Sequence, residues 1–265
     1  MNLPKEYLSA SQIGMFLRCG ESFRRRYIDG DIIPPGIALL KGSATHTGIE
    51  KNNRQKIESH VDLKKSDIVD ISVSALEAKI EKDGLELNEE EKTTGKDKVI
   101  GEAKDDVVSL AGLYADEVAP GTQPVSCEKE IIIPFGGQTL KGYIDCIDDK
   151  KRVRDYKTSG RAKQQKELES SLQMGIYTIA YEQENGELPA GICYDVLINT
   201  KKPKYQLIEI QPQINVYSRI QAVVEAVAHG ISAGVFLPPA EGSWVCDKKW
   251  CGFYNTCKFV QNKMF

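Results

Sequence analysis

Asp145, Asp155 and Lys157 are the residues whose types and spacing could do chemistry together. Asp155 and Lys157 stand two apart in a strand-like run, residues 152–158. Strand side chains alternate with period two, so this carboxylate and amine point the same way. Asp145 lies in an earlier run, residues 140–147, and a polar turn at 148–151 joins the two as a hairpin. Directly opposed residues of an antiparallel hairpin share a face. Asp145 therefore faces Asp155 if the connection has an odd number of residues or contains a bulge, and one or the other is expected. Two carboxylates can hold a hard divalent cation that keeps positions open for water and a phosphate oxygen. A lysine beside them can orient or help deprotonate the water and stabilise transition-state charge. Taken alone, the same residues also describe a solvated surface ion pair, which contributes little.

The elements that must position these groups can be read around them. A helix is expected over residues 11–28, capped by Ser9 or Ser11, with Ile13, Phe16, Leu17, Phe23 and Tyr27 as its apolar stripe and Cys19 in its middle. After a loop with Pro34, Pro35 and Gly36, His46 falls at or near the start of a second helix. Residues 50–118 are charged and mostly helical in pattern, with Leu76, Ile80, Val107, Leu110, Leu113 and Tyr114 at helical spacing. Residues 83–98, with Gly84 and Gly95, read as an exposed connection. A strand is expected from Val125, and its Glu128 and Glu130 read as solvated strand residues that could also add carboxylates to a metal site. A helix over 164–183 places Gln173 and Tyr177 on one face, with Tyr181 continuing the stripe. Strands follow at 191–199 and 205–210, then a helix at 214–230 with Val216, Ile220, Val223, Val224 and Val227 as its stripe. The pattern is an α/β fold, a central mixed sheet flanked by helices, with a helical insert at about 50–118 and a cysteine-rich tail at about 240–265. The 265 residues suit one domain, with the tail packed on the N-terminal helix.

Gly142-Tyr-Ile-Asp145 and Asp155-Tyr-Lys157-Thr resemble motifs two and three of the PD-(D/E)xK nuclease superfamily, without a proline before Asp145. More narrowly, the chain resembles the RecB-like exonucleases, including phage-borne and CRISPR-associated members. Gly42-Ser-Ala-Thr-His46 is similar to that group's Gly-x-x-x-His motif, and Gln173-Met-Gly-Ile-Tyr177 to its Gln-x-x-x-Tyr motif. The resemblance implies a restriction-endonuclease-like core. It implies that His46, Asp145 and Asp155, with the Tyr156 carbonyl, bind one or two manganese or magnesium ions. It also implies that Lys157 serves the hydrolytic water, and that Gln173 and Tyr177 line the site and position DNA. A neutral imidazole at His46 would favour manganese over magnesium. His60 and His229 match no motif.

Seven cysteines make an odd count for a disulfide framework. Cys127, Cys146 and Cys193 lie in apolar runs and read as small buried hydrophobes. Cys246, Cys251 and Cys257, separated by four and five residues, need a fourth thiolate to complete a metal or cluster site, and Cys19 can supply it. Spacing does not choose between zinc and iron. The resemblance implies a 4Fe-4S cluster, since one early and three late cysteines mark the iron–sulfur members, although Gly20 follows Cys19 where those members usually carry proline.

A formal net charge of −3 excludes a globally basic nucleic-acid binder. An enzyme needs only a local basic track around an acidic site. Small basic clusters occur at 24–26, 151–154, 161–166, 201–204 and 248–249. Hydrophobic residues make up 41% of the chain, enough for a sizeable core, and no run of about eighteen apolar residues occurs. The opening residues lack a signal-peptide pattern, so a cytoplasmic location is expected. The function expected is metal-dependent DNA exonuclease in recombination, repair or phage DNA processing, with DNA and a helicase, recombination or CRISPR-associated protein as partners. A non-catalytic DNA-end-binding module on the same fold is the alternative.

Overall fold

The computed structural model describes residues 6–213 and 216–261. The chain divides into two compact units.

The larger unit comprises Pro34–Ile131 and Tyr143–Gln213. Its helices are α3 (Ile37–Ser59), α4 (Lys65–Asp83), α5 (Glu89–Thr94), α6 (Lys96–Leu113), α7 (Gln165–Glu169) and α8 (Leu172–Asn185), following α1 (Ala10–Arg18) and α2 (Gly20–Phe23) of the other unit. The five-stranded sheet runs in the order β1 (Pro124–Phe135), β2 (Gln138–Asp148), β3 (Arg152–Ser159), β4 (Gly191–Ile198), β5 (Lys204–Ile210). β2 and β3 are antiparallel, β3 and β4 parallel, β4 and β5 antiparallel. This is the expected mixed α/β sheet flanked by helices. β4 is buried along its whole length, as its apolar run, interrupted only by Asp195, requires of a central strand.

Helices α3, α4 and α6 pack through Leu40, Ala44, Leu76, Val99, Ala103 and Val107. A Cβ on Gly48 would stand 2.9 Å from the Ile68 carbonyl oxygen and 2.0 Å from Ser72 Oγ, so α3 and α4 approach closely only because this residue is glycine. A second cluster joins Ile49, Ile68, Leu110 and Tyr114 to Cys146 and Tyr156 of the sheet.

The smaller unit comprises Met1–Ile33, Ile132–Gly142 and Ile214–Phe265. It holds α1, α2, α9 (Val216–Ser232), α10 (Lys258–Gln261) and the tip of the β1–β2 hairpin. Gly136 and Gly137 at that tip both have positive φ, which a tight two-residue hairpin turn needs. Phe16, Phe23, Tyr27 and Phe236 form its aromatic cluster.

Several expected boundaries move. The helix expected at 11–28 is broken at Cys19, whose backbone is extended and whose Sγ accepts the Ser22 N–H, so the cysteine caps α2 instead of lying mid-helix. Ser9 caps α1 through a capping box with Gln12, and Leu17 of the expected stripe is exposed. His46 is not near a helix start, because α3 begins at Ile37. The connection expected at 83–98 contains α5, which opens on a capping box between Asn88 and Glu91. The helix expected at 164–183 is two helices, since Ser171 caps a fresh start. The start of the helix expected at 214 lies outside the described residues.

Candidate active site

The β2–β3 hairpin sets the register of the site. Cys146 pairs with Arg154 and Ile147 with Val153, which carries Asp145 opposite Asp155. The connection is residues 149–151, an odd number, as the facing of the two aspartates demands. Lys151 N–H donates to the Asp148 carbonyl (3.0 Å), and Lys151 takes φ +59 to close the turn. Asp148 Oδ1 accepts the Lys150 and Arg152 N–H groups at 3.1 and 2.9 Å, which fixes the loop from inside. Beyond the paired residues, Asp145 Oδ2 accepts the Tyr156 N–H at 2.9 Å. A buried side chain thus satisfies a backbone donor and is locked in place by it.

Alternation along β3 then separates two polar groups. Arg154 faces one way, donating to Asp195 at 2.9 and 2.6 Å and to Asp148 at 3.1 Å, with the Tyr205 hydroxyl on Asp195 at 2.7 Å. Asp155 and Lys157 face the other. Lys157 Nζ donates to Asp155 Oδ1 at 2.9 Å and to Gln173 Oε1 at 3.2 Å. Gln173 Nε2 donates to the Tyr177 hydroxyl at 2.9 Å. Tyr177 is itself buried, so it meets the site through Gln173.

His46 comes from α3. One turn before it, a Cβ on Gly42 would lie 3.0 Å from Thr158 Oγ1, so the glycine admits α3 against β3. That close approach is a physical reason for glycine four residues before the histidine. His46 Nδ1 then lies 3.7 Å from Asp145 Oδ2, too far for a hydrogen bond. Two helical turns further on, Asn53 donates to the Tyr156 hydroxyl at 3.1 Å and accepts from Tyr114 at 2.9 Å, anchoring the same helix to the sheet.

Burial dominates the electrostatics. It pushes Asp145 up to about 7 against the Tyr156 hydrogen bond and Lys157. Burial and then the Asp145 charge push Asp155 up to about 7 as well. Burial holds His46 below the ordinary imidazole range, keeping the ring in its ligating, neutral form. Burial pulls Lys157 down, but Asp155 and Asp145 outweigh it and the net shift is upward, so Lys157 is an ammonium. The side chains of His46 and Lys157 keep 30% and 33% of their surface while Asp155 keeps 1%, so the site opens to solvent over its base-like groups and closes beneath the carboxylate.

Asp155 Oδ2 tests whether a cation fits. It lies 2.7 Å from Lys157 Nζ, yet the angle is wrong for a hydrogen bond and the buried oxygen accepts none from the described residues. The Lys157 ammonium meets this oxygen's charge, and its remaining acceptor capacity suits a metal. The His46, Glu128 and Asp145 ligand atoms lie within 4.8 Å of one another. Glu128, which reads from sequence as a solvated strand residue, is half-buried here. Its positive φ breaks the strand's alternation, which strand periodicity cannot foresee. The Arg154–Asp195 pair is also unannounced in sequence; a charged residue every second position of β3 looks the same whether it faces solvent or an ion-pair partner.

Cys127, Cys146 and Cys193 are buried as expected. Cys19, Cys246, Cys251 and Cys257 all fall in the smaller unit. Burial raises the Cys251 thiol against a Phe253 backbone hydrogen bond, and the charges of Cys19, Cys257 and Cys246 raise it further. In that unit Arg25 donates to Thr256 Oγ1 at 2.9 Å and lies 4.5 Å over the Phe253 ring.

Comparison with known sequences matches the PD-(D/E)XK nuclease superfamily over residues 7–258. The chain belongs to this superfamily. Nucleases of the superfamily typically use Mg2+ or Mn2+, and the His46, Glu128 and Asp145 donors offer such an ion an acidic place. Among solved structures, one described as “Putative exonuclease” from Eubacterium rectale superposes with a TM-score of 0.61 at 13% identity, over 91% of this chain and 87% of that chain. The crystal structure of SSO0001 superposes with a TM-score of 0.38 at 18% identity, over 80% of this chain and 96% of that one. No curated protein matches the sequence. No helix among the described residues is long and apolar enough to cross a membrane.

Proposed function

We propose that this chain is a metal-dependent DNA exonuclease of the RecB-like group, acting in the cytoplasm in recombination, repair or phage DNA processing. The observation that carries the reading is the convergence of Asp145, Asp155 and Lys157 on one face of the hairpin, with Gln173 joined to Lys157. His46, Asp145, Asp155 and the Tyr156 carbonyl would hold Mn2+ or Mg2+. When bound, the ion supplies an activated water and neutralises charge on the scissile phosphate. Lys157, as an ammonium, orients the water and offsets charge on the phosphate oxygens. Gln173 accepts from the Lys157 ammonium and helps hold it, and Tyr177 fixes Gln173. Asp145 holds the Tyr156 backbone in place through its N–H. DNA is the substrate of this reading, and a helicase, recombination or CRISPR-associated protein is its partner class.

Cys19, Cys246, Cys251 and Cys257 are assigned to a 4Fe-4S cluster with a structural role, ahead of zinc. What supports the assignment is that all four cysteines, early and late in the chain, fall in one unit. Cluster formation would contribute to folding of a short, loop-rich tail. Iron analysis and absorbance near 400 nm check it; a colourless protein with bound zinc would replace the cluster with zinc.

The decisive experiment is a Mn2+-dependent nuclease assay on linear and circular DNA, single- and double-stranded, beside Asp155→Ala. Degradation of linear DNA only, lost in the variant, is expected. DNA binding without cleavage by cluster-loaded wild type would favour the non-catalytic end-binding reading.

A further inference from the structure

Glu128 occupies an unusual position. Its backbone is in the left-handed region at φ +48, which disfavours a residue with a Cβ by roughly 1–2 kcal/mol. Such outliers persist where the surroundings require them. The result of this backbone is that the Glu128 carboxylate lies beside His46 and Asp145, the three ligand atoms within 4.8 Å of one another. Arg54, whose charge reaches Glu128, hydrogen-bonds Glu50 instead at 2.7 Å. Asp155 is fully buried, its charge reaches His46 and Glu128, and its Oδ2 lies 2.7 Å from Lys157 Nζ.

We propose that Glu128 is a protein ligand of the metal centre, forming with His46 and Asp145 a three-donor cradle that Asp155 joins from β3. The assignment rests on the nuclease reading above. Its chemistry is consistent: two carboxylate oxygens and a neutral imidazole make a donor set suited to Mn2+. Charge agrees with it. With their protons displaced, Glu128, Asp145 and Asp155 against the Lys157 ammonium carry two negative charges, which one divalent cation neutralises. Without a cation the strained backbone would only bring a third carboxylate toward two others, a costly arrangement with no return.

The test is calorimetric titration of Mn2+, without DNA, into wild type, Glu128→Gln, Glu128→Gly and Asp155→Asn, with thermal unfolding of each protein with and without Mn2+. The Gln and Gly variants should bind Mn2+ about tenfold or more weakly, a loss of at least about 1.4 kcal/mol. The Gly variant relaxes the backbone, so its metal-free form should unfold at the same or a higher temperature than wild type while its Mn2+-induced rise shrinks. Asp155→Asn should keep measurable Mn2+ binding through the cradle. Wild-type affinity in both Glu128 variants, with binding lost in Asp155→Asn, would overturn the Glu128 assignment and leave the nuclease reading intact. A wild type that neither binds Mn2+ nor cleaves DNA would overturn both.

Discussion

Lys157 Nζ sits side-on to the Asp155 carboxylate, 2.9 Å from Oδ1 and 2.7 Å from Oδ2. The ammonium is thereby held as a charge, and Gln173 supplies its other contact. Because Asp155 and Asp145 raise the lysine despite burial, it should not act as the base near neutral pH. Lys157→Met is expected to lower the cleavage rate about 10²–10³-fold at saturating Mn2+. The wild-type rate should level off between pH 7 and 9. A rate that rises tenfold per unit to pH 9 in wild type, and not in the variant, would make Lys157 the base.

Metal binding should depend on pH through Asp145 and Asp155. Both carboxyl groups titrate near 7 in the folded chain, against about 4 in an unfolded one. Between those values the folded state holds more protons, so the metal-free protein should lose stability as pH rises from about 4 to about 7 and change little above. A divalent cation displaces these protons. Apparent Mn2+ affinity should therefore rise with pH up to about 7, by at most about tenfold per unit for each proton displaced. Thermal shifts with Mn2+ at several pH values from 5.5 to 8.5 measure it; a shift independent of pH would mean the two carboxyl groups titrate normally.

Tyr177→Phe removes the hydroxyl that receives Gln173 Nε2 and that also bonds the Tyr143 backbone. The Gln173 bond, at about 0.5–1.5 kcal/mol, is the one that bears on Lys157, and its loss should slow cleavage roughly 2–10-fold. Mn2+ affinity should not change. A loss as large as that of Asp155→Ala would place Tyr177 against the substrate.

Arg154→Met should cost about 3–5 kcal/mol in denaturant unfolding, because it strands Asp195 without its buried cation. The double variant Arg154→Met with Asp195→Leu should recover much of that loss. Failure to recover would show that the Tyr205 and Asp148 contacts, and not the ion pair, carry the effect.

Lys151→Gly should stabilise the hairpin by about 0.5–1 kcal/mol, since glycine accepts φ +59 without a Cβ penalty. The exposed ion pair to Glu187 that it removes is worth little. Equal or lower stability in denaturant unfolding would show that this pair, or chain entropy, outweighs the backbone strain.

What the sequence determined by itself is local and periodic. Asp155 and Lys157 share a face because strand side chains repeat every two residues. For Asp145 to join them the sequence demands an odd-length connection or a bulge; that the connection is residues 149–151 is the structure's choice. The buried strand β4 was legible from an apolar run that Asp195 alone interrupts, and Gln173 with Tyr177 from their spacing of four. What tertiary structure decided involves groups far apart in the chain. Gly42 lets α3 approach β3 closely enough for His46 to reach Asp145, deep within a helix and not at its start. Cys19 breaks a run that periodicity joins, since a Cβ on Gly20 would meet the Leu237 backbone at 2.8 Å and Cys19 caps the new turn. Glu128 reaches His46 and Asp145 only through a left-handed backbone that no strand pattern contains. Arg154 is buried because Asp195 of the parallel neighbour lies opposite Tyr156, two residues along and on the same face. Periodicity fixes which way a side chain points along its own element; which groups it then meets depends on the close approach of elements distant in sequence.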